Sequence, residues 1–169
     1  MRSQRFAGDH VIISGGAAGV GAAATRMFAQ EGARVSIVDI NVDAAQRLAE
    51  RLMEAGGEAL PLCADVSKAE DVSRAVQASI ARFGTPKALF NHAGTLVVGP
   101  FLETTLEDWR RVFAVNLDSM FLMTQAVLPS MIERGSGAIV NTSSVSASLA
   151  TPMEVAYCTT KSACHMFTK

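Results

Sequence analysis

Tyr157 and Lys161 stand four residues apart, and Ser144 lies thirteen residues ahead of the tyrosine. On a helix, a spacing of four puts the phenol and the ammonium on one face. A phenol free in water ionises only near about pH 10 and is a poor base at neutrality. A neighbouring ammonium stabilises the phenolate, so the pair can exchange a proton with a substrate hydroxyl near the working pH. Ser144 would hydrogen-bond the substrate oxygen and steady the charge that develops there. Tyr-x-x-x-Lys alone is a weak signal, because a half-buried ring beside a surface cation gives the same pattern. Its weight comes from what stands at the other end of the chain.

That feature is the turn Ser14-Gly-Gly-Ala-Ala-Gly-Val-Gly21, which follows an apolar run and opens an alanine-rich segment. Gly15 allows a tight turn, Gly19 removes a side chain where a pyrophosphate would approach, and Gly21 permits close packing of the helix. Free N–H groups and the positive dipole end of that helix would hold the phosphates. A Gly-x-Gly-x-x-Ala match at Gly19, Gly21 and Ala24 begins too far past the strand to be the fingerprint. A generic strand-to-helix turn also uses glycines, so the turn is read together with Asp39, 18 residues after Gly21. A carboxylate there accepts the hydroxyls of an adenosine ribose and repels a 2′-phosphate. No cation follows directly at Ile40 or Asn41, so NAD is favoured over NADP. The expected cofactor contacts are Ser14, Gly15, Gly19, Val20, Gly21, Asp39 and Ile40.

The elements that position these groups alternate strand and helix. Strands are expected at 10–14, 34–39, 58–63, 87–91 and 137–142. Helices are expected at 19–30, 42–55, 67–83, 105–133 and 154–169. Ser67 with Glu70 reads as a capping box for the third helix, and Thr105 as the N-cap of the long fourth one. This alternation means βαβ units: an α/β, Rossmann-type, doubly wound parallel sheet in the order 3-2-1-4-5. The site then belongs at the carboxyl ends of the strands, near the switch point.

Bulk properties agree. A chain of 169 residues is one domain, here a single dinucleotide-binding domain over 1–169. A hydrophobic content of 49% and mean hydropathy of +0.25 suit a sheet buried on both faces. A net charge of −1 leaves no basic field for nucleic acid or a membrane surface. Residues 1–6 read as no signal peptide, and the apolar runs read as shorter than the ~20 residues of a membrane helix. Cys63, Cys158 and Cys164 fit reduced thiols in a cytoplasmic protein. No metal set is expected: Cys164 and Cys158 read as core thiols and His165 as a packing histidine. Met120, Met123 and Met131 read as core or subunit contacts, Trp109 as packing, and His10 as a residue without a role.

Together these motifs resemble the short-chain dehydrogenase/reductase family in its short form, since the Gly-x-x-Gly-x-x-Gly of the extended form is absent. The resemblance implies a catalytic set of Asn116, Ser144, Tyr157 and Lys161, the backbone of Asn116 helping to hold a water near the lysine. It implies that Asp65, in the pair Asp65-Val66, meets the adenine amino group. Asn91, Ala93 and Gly94 match an Asn-Asn-Ala-Gly segment that flanks the adenosine largely through backbone, with His92 departing at its second position. Ser146, beside Ser144 and Tyr157, is expected against the substrate, with Leu149, Thr151 and Met153. The resemblance implies an NAD(H)-dependent oxidoreductase that interconverts a small secondary alcohol and a ketone, and a homo-oligomer, tetramer or dimer, in full-length form. It also implies a sixth and seventh strand that are absent here, the chain being either a fragment or a short form, which leaves strand five as an open edge. Two other readings stay open: an NADPH-dependent 3-oxoacyl-thioester reductase, which Asp39 opposes, and a catalytically silent dinucleotide-binding fragment.

Overall fold

Five parallel strands form one sheet in the order β3-β2-β1-β4-β5: β1 His10–Ser14, β2 Arg34–Asp39, β3 Glu58–Cys63, β4 Ala88–Asn91 and β5 Ala138–Asn141. The structure, a computed structural model, describes residues 4–169. The start of the chain, where the absence of a leader was read, lies partly outside the described residues. β1 is buried along its whole length because it is central, and this is why it reads as a continuous apolar run. Its register pairs Ile13 with Ile37 on one side and Phe90 on the other.

Alternation along the strands sends side chains to two faces. Val11, Ile13, Val35 and Ile37 pack with Ala22 of α1 (Gly19–Gln30) and with Ala45, Leu48 and Leu52 of α2 (Val42–Glu54). Ile12, Val38 and Leu89 pack with Val72 and Val76 of α3 (Ala69–Phe83) and with Met123, Val127 and Met131 of α5 (Ser119–Arg134). The methionines expected in the core are there. α4 (Leu106–Phe113) starts at Thr105, whose hydroxyl accepts a hydrogen bond from the Asp108 N–H at 3.0 Å. On α4, Trp109 stacks on Phe113 with ring centroids 4.5 Å apart. The last helix is α6 (Val155–Phe167).

Three expectations need correction. The capping box at Ser67 does not form. α3 begins at Ala69 behind Lys68, and no side chain caps it. Asp65 wins the competition: its carboxylate takes the Ser67 N–H at 3.1 Å and the Ser67 hydroxyl at 2.6 Å, closing an Asp-headed turn. Second, the long fourth helix is not uniform, because a π-helical turn at Ala114–Asp118 separates α4 from α5. Third, Leu106–Arg134 is long and apolar enough to cross a membrane by length and composition. In the fold Met123, Val127 and Met131 of this stretch pack on the sheet and Met120 is buried, while Phe121, Leu128 and Ile132 are exposed.

His10 also does more than expected. It is 1% exposed. Its Nδ1 bonds the Gly84 carbonyl oxygen at 2.7 Å, and its Nε2 lies 3.0 Å from Ser36 Oγ and 2.9 Å from Ser79 Oγ. The ring thereby ties β1, β2 and α3 together beneath the sheet. Burial pushes its pKa down to about 4, from an ordinary value near 6.5. A depressed folded-state value means stability that is fully present above about pH 6.5 and lost as pH falls toward 4. Urea unfolding at pH 7 and pH 4.5 should therefore show a loss in the wild type that exceeds the loss in His10→Gln by roughly 2.5 kcal/mol. Equal losses in the two proteins would contradict the assignment.

Candidate active site

Strands β1 to β3 run out one way from the centre and β4 and β5 the other, so the crevice opens between the carboxyl ends of β1 and β4. Ser14 closes the bottom. Its hydroxyl oxygen accepts the His92 N–H at 3.1 Å and the Ala93 N–H at 3.3 Å. Above it lies a cleft of about 610 Å³, walled by Gly15, Ala18, Gly19, Asp39, Ile40, Ala64, Asp65, Val66, His92, Ala93, Gly94, Thr95, Val115, Thr142, Tyr157 and Lys161.

The glycine turn is shaped by contact. Gly15 has φ +65°, and a Cβ on it would stand 2.8 Å from the Ala93 Cα. Gly19 has φ +50° and nothing within 4 Å of where its Cβ would point, so the approach to the α1 N-terminus is open. No side chain caps that terminus, and no acidic residue stands in its first turn. Its N–H donors therefore remain for an anion. Gly21 serves the turn itself more than the sheet: a Cβ there would lie 2.0 Å from the Gly15 carbonyl oxygen and 2.9 Å from the His92 ring.

Asp39 steadies the same turn, accepting the Ala17 N–H at 3.0 Å and the Asn41 N–H at 3.0 Å, one on each oxygen. Each oxygen of such a carboxylate keeps a further acceptor position. Asp65 also stands on the wall, beside Val66. The Ser67 hydroxyl is the main cause that holds its carboxyl below the usual carboxylate range, with Lys68 3.5 Å away.

The opposite end of the cleft is built from buried polar contacts. Lys161 is 3% exposed, and its Nζ donates to the Thr142 carbonyl oxygen at 2.8 Å. Burial holds it below the ordinary lysine range. Its Nζ is 5.7 Å from the centre of the Tyr157 ring, so the two share a helix face as their spacing requires. Asn116, fully buried, sits in the π turn. Its Oδ1 accepts the Thr95 N–H at 2.7 Å, and its Nδ2 donates to the Thr95 carbonyl at 2.9 Å and to Thr160 Oγ1 at 3.1 Å. Thr160 Oγ1 in turn donates to the Tyr157 carbonyl at 2.9 Å. The Asn116 side chain thus clamps the loop after β4 to the helix that carries Tyr157 and Lys161. A π turn, with its wider hydrogen-bonded ring, is a frequent device at such places.

Among the site residues expected from sequence, Gly15, Gly19, Asp39, Ile40, Asp65, Val66, Ala93, Gly94, Tyr157 and Lys161 line the one cleft. Ser14, Gly21 and Asn116 stand behind the wall. Val20 is 65% exposed and lies off it. Asn91 is buried at the end of β4, where its Nδ2 donates to Asn141 Oδ1 at 2.9 Å, joining β4 to β5. Ser144 and Ser146 stand off the cleft lining, Ser144 capping and Ser146 within the 3-10 turn Val145–Ala147 that follows β5. Ser144 Oγ accepts the Ser146 N–H at 3.1 Å, and Ser146 Oγ lies 2.9 Å from Thr151 Oγ1. His165 is exposed and bonds Ser143 Oγ at 2.9 Å, so it is not the packing histidine expected. Thr95, Thr142 and Thr160 were not anticipated: each acts through backbone or hydroxyl contacts that leave no periodic trace. His92 stands in a segment expected to work largely through backbone, yet its ring bonds Thr142 Oγ1 and closes on Gly21.

The family model for short chain dehydrogenases matches residues 9–169. A 2,5-dichloro-2,5-cyclohexadiene-1,4-diol dehydrogenase of Sphingobium indicum is 37% identical over 99% of this chain and 67% of its own length. D-threitol dehydrogenase of Mycolicibacterium smegmatis is 40% identical over 93% of this chain and 60% of its own. The crystal structure of levodione reductase superposes with a TM-score of 0.93 at 33% identity, covering 97% of this chain and 65% of that one. The chain thus spans about two thirds of the length of the proteins it matches.

Helix propensity alone favours alanine over glycine at position 21 by about 1 kcal/mol. The clash with the Gly15 carbonyl should reverse that sign, and Gly21→Ala should destabilise by about 2 kcal/mol. Gly99→Ala, where a Cβ meets nothing, should change stability by less than about 0.5 kcal/mol. Urea unfolding of both variants checks this; a neutral or stabilised Gly21→Ala would contradict the packing described.

Proposed function

The chain belongs to the short-chain dehydrogenase family, and from that premise we propose that it carries the dinucleotide site and proton-transfer residues of an NAD(H)-dependent oxidoreductase interconverting a small secondary alcohol and a ketone. The observation that carries the reading is Tyr157 and Lys161 on one wall of the same cleft as the open glycine turn and Asp39. The chain's residues fit a dinucleotide. Gly19 leaves room above uncapped N–H groups for a pyrophosphate, and Asp39 presents a carboxylate where ribose hydroxyls would come. That carboxylate favours NAD, because a 2′-phosphate would meet a like charge. When bound, the dinucleotide supplies the two-electron acceptor or donor at its nicotinamide C4.

In the oxidation direction, Tyr157 as phenolate accepts the substrate hydroxyl proton. The O–H bond breaks as the carbonyl π bond forms, and a dinucleotide held at Gly19 and Asp39 would take up the electron pair released with the carbinol hydrogen. In reduction, the Tyr157 hydroxyl returns the proton to the developing alkoxide. Lys161 keeps a positive charge beside the phenol and is held in place by the Thr142 carbonyl. Ser144 Oγ already accepts one bond from Ser146, so its own proton is free to be donated to the substrate oxygen. The relatives with cyclic or polyol alcohols in their names support a neutral alcohol as the substrate class.

In the intact protein, Tyr157→Phe should lower kcat at least ~1000-fold while NAD affinity stays within about threefold, since the phenol acts in the transition state. Alcohol oxidation followed by NADH absorbance, with calorimetry for binding, reads both. A variant that keeps more than about a tenth of the turnover would show that this phenol is not the acid–base group.

A further inference from the structure

His92 stands where the family segment has asparagine, and its side chain is not idle. Its Nδ1 lies 3.0 Å from Thr142 Oγ1. The carbonyl oxygen of the same Thr142 is the acceptor that holds Lys161 Nζ at 2.8 Å. The ring packs 5.3 Å from the Phe90 ring, and its Cδ2 closes against Gly21 on the first turn of α1. Its backbone N–H is held by Ser14. His92 is thus pinned on four sides within the cleft that Lys161 and Tyr157 line.

Resting on the functional reading above, we propose that His92 is a titrating positioning residue of the hydride-transfer site. With its ring neutral it holds Thr142, which holds the Lys161 ammonium; once ionised, it puts a second cation in the same cleft and weakens that hold. A charge on the His92 ring and the charge on Lys161 in the same cleft disfavour each other. The titratable groups around the ring are few. α6 brings Lys161 and Tyr157; Asp39 and Asp65 stand at the ends of β2 and β3. α1 offers only Gly21 against the ring, and β5 only Thr142. Burial first, and the Lys161 charge second, hold the imidazole below its ordinary value.

The link is tested by following the His92 ring in the intact protein by NMR between pH 8 and 4.5, with His92→Asn identifying its signal. Its midpoint should lie below about 6.5 in the wild type and rise by at least about 0.5 unit in Lys161→Met. An unchanged midpoint in Lys161→Met overturns the proposal. In ketone reduction with NADH, wild-type kcat/KM should fall about tenfold per pH unit below that midpoint. The His92→Asn profile, scaled to its own maximum, should lack this limb; asparagine can still reach Thr142 but cannot ionise. The same acid limb in both proteins overturns the proposal, as does a wild-type rate that rises with acidity through the midpoint. If Lys161→Met does not fold, the His92→Asn profile decides alone. A shifted midpoint with no ketone reduction in either protein supports the His92–Lys161 link and tells against the hydride-transfer reading only.

Discussion

The reversal of strand order between β1 and β4 is the constraint from which the rest follows. At that point the helices leave to opposite faces and the carboxyl ends of the strands are left uncovered, so a crevice is unavoidable. Its floor is set by two close approaches. The Ser14 hydroxyl draws the backbone of His92 and Ala93 against β1, and Gly15 stays small so that Ala93 can come near. A side chain on Gly15 would push β4 away from β1 and open the crevice at its base.

The two ends of the crevice are held by different physics. The end at the glycine turn depends on backbone geometry: left-handed glycines, an uncapped helix terminus, and Asp39 accepting two N–H groups of its own loops. The end that bears Tyr157 and Lys161 depends on buried polar groups that satisfy one another. Asn116 makes three bonds from within the π turn, Thr160 passes one on to the Tyr157 carbonyl, and Thr142 meets the Lys161 ammonium. A buried ammonium costs several kcal/mol unless it is paired or hydrogen-bonded. The Thr142 carbonyl meets part of that cost, which makes the end of β5 as much a part of the site as the helix bearing Tyr157.

Much of this could be read from the chain. The strand order followed from alternating apolar runs and helical segments, because parallel sheets impose that rhythm. The meeting of the glycine turn, Asp39, Tyr157 and Lys161 at one cleft was legible because each follows a strand end or shares a helix face that the strand order brings there. The unread features are those where one side chain chooses between equivalent partners. Ser67 could have capped α3, yet Asp65 took its hydroxyl. The π turn at Ala114–Asp118 leaves no mark, since its residues have ordinary helical character and the extra residue per turn is selected by the Asn116 contacts. His10 looked like the first residue of a strand, and only the fold brings Ser36, Ser79 and Gly84 around it. His92 was judged by its backbone because the pattern it departs from works mainly through backbone.

The central claim is that one crevice at the switch point is built for a dinucleotide whose adenosine ribose carries no phosphate. The affinities of NAD and NADP for the intact protein, measured side by side by calorimetry, test it most directly. Asp39 should favour NAD by about 2 kcal/mol, roughly 30-fold in affinity, because a 2′-phosphate would have to sit against its carboxylate. Equal affinities, or tighter binding of NADP, would contradict the account.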